Sequence, residues 1–436
     1  VRRICLTLPT NRACSDTIAA LGEEAAYGAR HFDAEVHLLI LDSSDAEVFA
    51  AHQVAVNALP PVPEVIVHHL DERAQQDFLT EVIDRSGTAA SQRLLTLMLP
   101  PHVSYGACTN RAFLFAEALG CTSVHRRDSD SRYQFLHGEP VFPLHHELGA
   151  LGRPATEVAD GVSRSRLDPA YAKWPVALVG GSFVGEMSVD VAEIRDLDPD
   201  IYQEVVGLAV PAGYPEIWRK NLIQESFRGA GSAPFTGDRT TLSRVNPMRV
   251  DMCNISFDRE VYGRVPLPPA TDTIGSDYFL IHLVHDAQLP GVVHNRHIVN
   301  YYTGERRTEA GFLAYQLRFA KFLLSAPYFH WIHTRLTAAS PAITDDEGRI
   351  RPSAIADLVR DSTRLDRGAN AERLDVLQHC YRKLGGRYGA AADALGVRRG
   401  ELLDQAVRDM EDFAHLVDVW EVLSRNSRDL GLPWKP

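Results

Sequence analysis

Apolar positions in the first part of the chain switch repeatedly between a period of two and a helical period. Ile4, Leu6 and Leu8 lie two apart and predict a strand within 1–12 that runs into a loop. A helix is expected over 16–29, with Asp16 near its start and Glu23 and Glu24 on its polar face. EVHLLIL (35–41) reads as a buried strand, and its apolar run stops at Asp42-Ser43-Ser44-Asp45. A helix over 46–58, a strand over 64–70 and a helix over 73–84 continue the alternation. Strand, helix, strand, helix in this order predicts an α/β layer on a mainly parallel sheet.

GACTNRAFLFAEALG (106–120) puts Ala112, Phe115, Ala116 and Leu119 on one stripe and predicts a helix, with Gly120 at its C-terminal cap. A short strand then ends in HRRDSDSR (125–132). Residues 138–174 have weak periodicity and read as irregular, whereas 174–190 reads as a strand or hairpin broken by Gly180-Gly181. Helical turns are expected over 198–207 and 213–226, a long loop over 229–247, a strand over 249–257, a helix near 275–288 and a strand near 291–294. Residues 308–330 read as a strongly apolar packing helix, 340–349 as a linker, and 351–436 as helical throughout. The organisation expected is a catalytic unit over 1–335, with a donor half over 1–135 and an acceptor half over 136–305, followed by a helical C-terminal domain over 351–436.

Composition narrows the function classes. The 436 residues carry 45 Lys plus Arg against 57 Asp plus Glu, a net charge of −12. A protein that coats nucleic acid needs clustered positive charge, so that class is disfavoured. The six cysteines form no C-x-x-C pair, which removes the usual structural zinc spacing and a disulfide scaffold. The opening VRRICLTLPTNR lacks the apolar stretch of a signal peptide, and no segment is apolar for long enough to span a bilayer. A cytoplasmic protein is expected.

The sharpest chemical feature is Asp128-Ser129-Asp130 at a strand end. In an extended segment, residues two apart face the same side, and two carboxylates so placed can share a hard cation such as Mg²⁺ or Mn²⁺. The bland reading is a solvated acidic turn. Other polar residues gather at element ends as well: Thr10-Asn11-Arg12 after the first strand, Asp42 at the end of the second, and Gly106 and Arg111 around the start of a helix. Helix starts and arginine forks are phosphate donors.

On LTLPTNR (6–12), LLILDSSD (38–45), GACTNRAFLFAEALG (106–120), RRDSDS (126–131) and a later block VDMCNISFDREVYGRVPLPP (250–269), the sequence resembles nucleotide-sugar-dependent glycosyltransferases of the GT-A type over residues 1–305. The resemblance implies an α/β, GT-A-like, mainly parallel sheet flanked by helices, with the C-terminal region helical. It implies a nucleoside diphosphate sugar as donor and Mn²⁺ or Mg²⁺ as cofactor. Thr10, Asn11, Arg12, Asp42, Arg111 and Asp128 would bind the donor, with Asp42 at the nucleobase and Arg111 near the phosphates. Asp128 and Asp130 would serve the metal, together with His294 or His297. The family's paired Asp at the second strand is Asp42-Ser43 here, and its Glu-Asp is Ser276-Asp277, which leaves Asp277 as the candidate catalytic base; Asp251 and Glu225 are runners-up.

The function expected is a metal-dependent, hexosyltransferase-like transfer of a sugar to a hydroxyl or amine of a small soluble acceptor, as in the tailoring of a secondary metabolite. No nucleic-acid partner and no membrane span are expected, and a homodimer is open. A sugar nucleotidyltransferase is the rival enzyme, but PTNRACSD (9–16) has none of the glycines its phosphate loop needs. A P-loop kinase is excluded by the absence of G-x-x-x-x-G-K-[ST]. A non-catalytic nucleotide-sugar-binding protein is the alternative of another class. A DNA-binding regulator using 387–405 is disfavoured by the acidity and the large α/β part.

Overall fold

The computed structural model describes residues 1–186, 191–211, 213–301 and 304–432. The first half runs β1 (Arg2–Thr10), α1 (Ser15–His31), β2 (Ala34–Asp42), α2 (Ala46–Asn57), β3 (Val65–Leu70), α3 (Glu72–Asp84), α4 (Ser91–Met98), α5 (Tyr105–Ala118) and β4 (Ser123–Arg127). Then come β5 (Arg132–Leu136), β6 (Glu139–Val141), α6 (Leu144–Ala150), β7 (Arg164–Ser165), β8 (Leu178–Gly180), β9 (Phe183–Gly185), β10 (Thr240–Arg244), β11 (Asn254–Asp258), β12 (Pro290–His294) and β13 (Ile298–Asn300). Nine strands form one sheet in the order β3-β2-β1-β4-β11-β8-β12-β10-β7, and β6-β5-β13-β9 form a second. In the large sheet β1–β2, β2–β3, β1–β4, β8–β12 and β10–β7 are parallel, while β4–β11, β11–β8 and β12–β10 are antiparallel. The sheet is thus mainly parallel, as its alternating sequence predicts.

The pleat explains the continuous apolar runs of β1 and β2. Ile4, Leu6, Leu8, Val36, Leu38 and Ile40 pack with Ile18, Leu21 and Ala25 of α1 on one face. Cys5, Leu39 and Leu41 pack with Ala112, Phe113 and Phe115 of α5 on the other. A sheet covered by helices on both faces requires apolar side chains at odd and even positions alike.

The irregular stretches hold more structure than their pattern shows. Gly180-Gly181 marks the point where the chain leaves the large sheet at β8 and enters the small one at β9, not the turn of a hairpin. The expected loop over 229–247 contains β10, antiparallel to β12. The helix Glu309–Ala338 is longer than expected, and part of the expected linker is a helical turn at Ser340–Ile343. The expectation over 187–190 lies outside the described residues.

The last helices, Pro352–Ser362, Gly368–Leu384, Gly386–Val397 and Arg399–Leu430, join the same core as α5 and β4. Trp420 is fully buried and donates its indole N–H to the Tyr262 carbonyl at 2.7 Å. Buried Glu117 of α5 accepts from Arg259 (2.8 Å) and from Arg428 of the last long helix (2.9 Å). Among the described residues no helix is long and apolar enough to cross a membrane.

Candidate functional site

β1, β2 and β4 run parallel, so their carboxyl ends, Thr10, Asp42 and Arg127, lie along one edge of the sheet. Open α/β sheets bind ligands outside this edge. β11 is antiparallel to β4 and starts opposite its end, with Asn254 paired to Arg127, so Asp251 also arrives here.

β4 decides which of two adjacent arginines faces the site. Its pleat sends Arg126 to one face of the sheet and Arg127 to the other. Arg127 is fully buried and donates to Glu24 (2.8 and 3.1 Å), to Glu147 (3.0 Å) and to the Arg126 carbonyl (2.8 Å). Burial opposes its charge, but Glu147 and Glu24 outweigh that and hold the guanidinium firmly protonated. Arg126 donates instead to Asp128 Oδ1 through Nε (3.1 Å), with Nη2 3.0 Å from the same oxygen, and to Asp277 Oδ2 through Nη1 (2.6 Å).

Asp277 reaches Arg126 on a 3₁₀ turn, Ser276–Tyr278. Gly275 before it has φ +73°, and a side chain there would meet the Phe322 ring at 2.9 Å. Glycine is therefore needed twice over, for the left-handed backbone and for the close approach. The next residue, Tyr278, donates its hydroxyl to Asp251 Oδ2, and Asp251 Oδ1 accepts the Cys253 N–H at 3.0 Å. Burial pushes the Asp277 carboxyl above the ordinary range against the pull of Arg126, with Asp128 and Asp251 adding to the rise.

Asp128-Ser129-Asp130 is not extended. The Ser131 N–H bonds back to the Asp128 carbonyl at 3.0 Å, and the Asp128 N–H donates to Ser131 Oγ at 3.1 Å. The two carboxylates are displayed by a tight turn, and the alternation argument for a shared side does not govern them. Asp130 lies 3.7 Å from Arg12. Its carboxyl is pushed up by burial and by Asp128, against Arg12 and Arg306. Among the described residues, Asp128, Asp130 and Asp277 face Arg12, Arg126 and Arg306, and burial raises the pKa of two of these carboxylates, Asp130 and Asp277.

The other sequence candidates hold different stations. Thr10 Oγ1 shapes the turn, donating to the Arg12 carbonyl at 2.9 Å, and Asn11 is exposed beside it. Arg111 is buried and bonded within the fold: Nε bonds Gln75 Oε1 (2.9 Å) and Nη1 the Met98 carbonyl (2.7 Å). Gln75 in turn bonds the carbonyl oxygens of Leu70 (3.1 Å) and Asp42 (3.4 Å), so Arg111 braces the ends of β2 and β3 through α3.

Asp42 is closed off by its own neighbours. Oδ1 accepts the Ser44 N–H at 3.0 Å, and Oδ2 lies 2.7 Å from His52 Nδ1 and 2.9 Å from His69 Nε2. Burial works against its ionisation, but the bonds from His69, Ser44 and His52 prevail and hold the carboxyl well below the usual range. Among the described residues this trio is the one group of three or more His, Cys, Asp or Glu close enough to share an ion, its ligand atoms lying within 4.8 Å of one another. The protons argue against that use. The Cys14 N–H points at His52 Nε2 (2.9 Å), so the ring proton sits on Nδ1, where a metal would have to bind. The trio is a hydrogen-bonded hub, and sequence reading missed it because His52 and His69 come from separate elements.

The two late histidines differ in how their rings are engaged. His294 is buried against the His146 ring (centroids 5.6 Å apart), and among the described residues neither of its ring nitrogens has a hydrogen-bond partner. His297 accepts the Ser182 N–H on Nδ1 at 3.0 Å, which puts its proton on Nε2. Burial lowers the His297 pKa to about 4. His294 closes β12 and His297 follows it; the His297 ring is committed to Ser182, whereas the buried His294 ring nitrogens have no partner among the described residues.

Among solved structures, the chain aligns with a mycobacterial protein at 14% identity, covering 76% of this chain and 74% of that one with a TM-score of 0.35. It aligns with the mannosyltransferase PcManGT from Pyrobaculum calidifontis, in complex with GDP-Man and Mn²⁺, at 13% identity, covering 100% and 88% with a TM-score of 0.36. It aligns also with mannosyl-3-phosphoglycerate synthase from Rubrobacter xylanophilus at 15% identity, covering 72% and 71% with a TM-score of 0.29. No curated protein matches the sequence. Residues 2–435 match a family described as "Family of unknown function (DUF6271)", and the chain belongs to that family.

Proposed function

We propose that this protein is a metal-dependent glycosyltransferase that moves a sugar from a nucleoside diphosphate sugar to a hydroxyl or amine of a small soluble acceptor. One observation carries the reading: four carboxylates converge at the carboxyl edge of a mainly parallel sheet, interleaved with Arg12 and Arg126, on the segments whose sequence resembles GT-A enzymes. An excess of carboxylate is what a divalent cation neutralises. Asp128 and Asp130 fit as oxygen donors to Mg²⁺ or Mn²⁺, whereas His297, whose Nδ1 accepts the Ser182 N–H, does not. When bound, such an ion supplies Lewis-acid neutralisation of the leaving diphosphate.

The chain's own residues do the rest. Arg12, on the loop after β1, faces the donor phosphates beside Asp130. Asp277 takes the acceptor proton on its carboxylate as the acceptor oxygen or nitrogen bonds the anomeric carbon. The bond from that carbon to the diphosphate oxygen breaks, and its electron pair leaves with the diphosphate. The Asp42 hub, closed by His52 and His69, sets the floor on which the nucleobase rests and does not offer its own oxygens.

The test is thermal unfolding with UDP, GDP, ADP, CDP and dTDP, each with Mn²⁺, Mg²⁺ or chelator. One nucleotide with metal should stabilise the protein by about 2.7 kcal/mol at a hundredfold excess over its Kd. Indifference to every nucleotide, or stabilisation unaltered by chelator, refutes the proposal. Turnover against the matching nucleotide sugars separates a transferase from a binding protein.

A further inference from the structure

Arg126 touches both halves of the proposed site. It extends from the donor-side strand β4, and its fork ends on Asp277, which belongs to the segment after β11. The side chain is 4% exposed. Nε and Nη2 are both directed to Asp128 Oδ1, and Nη1 is directed to Asp277 Oδ2. Two of its five N–H groups, on Nε and Nη1, are thus given to carboxylates, one on each side of the site. We infer that Arg126 is a positioning residue, which ties the acceptor-side base to the donor-side strand end and does not itself bind the donor. This rests on the function proposed above.

The turn that carries Asp277 shows why such a tie matters. It is anchored at consecutive residues, Asp277 to Arg126 and Tyr278 to Asp251. Behind it Gly275 is pressed against Phe322. The second anchor fixes where the turn lies, and Arg126 fixes how the Asp277 carboxylate is aimed. Lysine has a single nitrogen and cannot span the two carboxylates that the planar fork spans. The turn Asp128–Ser131 keeps its own backbone closure without Arg126. Donor binding and base placement are therefore separable by substitution.

The experiment compares wild type, Arg126→Lys, Asp277→Asn and the double variant. Three quantities are read: affinity for the nucleoside diphosphate with Mn²⁺ by thermal shift, kcat for transfer, and the rate of donor hydrolysis to water. Arg126→Lys should keep nucleotide affinity within about threefold of wild type while kcat for transfer falls by about a hundredfold. Hydrolysis should fall far less, because water needs no aimed base in the acceptor position. The double variant should match Asp277→Asn within about twofold, since a residue that acts only through Asp277 has nothing left to position. Three results overturn the inference: a loss of nucleotide affinity in Arg126→Lys, which makes Arg126 a donor ligand; losses that multiply in the double variant; or equal losses of transfer and hydrolysis. A wild type that binds no nucleotide refutes the glycosyltransferase reading itself and takes the inference with it.

Discussion

Replacing Arg127 by methionine should be among the most destabilising single changes in the molecule. The side chain is 0% exposed, as are Glu24 and Glu147, and it makes two bonds to Glu24, one to Glu147 and one to the Arg126 carbonyl. Tyr133 and the Leu144 N–H also end on Glu24, and His125 on Glu147, so these carboxylates cannot swing out to water. Methionine keeps the volume and removes the charge, leaving two buried carboxylates without their cation. Breaking a buried pair by deleting one partner costs about 3–5 kcal/mol. The pH dependence gives a second handle. In the wild type, burial raises the Glu147 pKa, but Arg127 and His125 outweigh it and depress it below the unfolded value. That contribution is present above the unfolded pKa and is lost as pH falls through the folded one. Without Arg127 the sign reverses: the carboxyl titrates above its unfolded value, and the variant recovers stability as the solution is acidified. Urea midpoints measured at pH 7, 6 and 5 should show the gap between the two proteins closing toward pH 5. A charge-balanced triple variant, Glu24→Gln, Arg127→Met, Glu147→Gln, should regain most of the loss. The reasoning is wrong if Arg127→Met costs under about 1 kcal/mol, or if the gap is the same at all three pH values.

Three further outcomes are expected. Asp130→Ala should abolish the chelator-sensitive part of nucleotide stabilisation while relieving the like-charge strain with Asp128, so the free protein gains slightly in thermal midpoint; retained metal dependence would count against Asp130 as a ligand. Gly106→Ala should destabilise by about 1–3 kcal/mol despite the better helix propensity of alanine, because its Cβ would sit 1.9 Å from the Pro268 carbonyl oxygen; a neutral or stabilising result in urea unfolding would show that the 268 loop yields freely. Burial raises the Asp258 pKa to about 6, so its folded-state penalty grows as pH rises from about 4 to 6. Asp258→Asn should therefore gain about 1–2 kcal/mol at pH 7 relative to its effect at pH 4, and a pH-independent effect would contradict the assignment.

How far the site was legible depends on whether a residue's role is set by chain neighbours or by distant ones. Periodicity placed β1, β2, β3, α3 and α5 within two residues of their observed ends, because their apolar positions recur at a clear period. It overlooked the short β5, β6, β10 and β13, whose apolar positions are too few to show a period. The position of Asp128 and Asp130 at a strand end followed from the pattern, but their presentation by a turn followed from Ser131, which the D-x-D spacing does not report. Arg126 and Arg127 are equivalent in composition and adjacent in sequence. Their opposite fates were available in principle from the alternation of β4, but which face held the site required Asp277, over a hundred residues away.

By itself, then, the sequence determined the α/β layering and the edge of the sheet where chemistry gathers, since burial period and strand order are properties of consecutive residues. Only the tertiary structure decided which polar groups there are free to act. Asp42 is taken by His52 and His69, Arg111 by Gln75 and Met98, and His297 by the Ser182 N–H, all partners supplied by other segments. The physical reason is that a buried polar group must satisfy its hydrogen bonds, and what satisfies it is whatever folding brings within 3 Å or so, which no local pattern specifies.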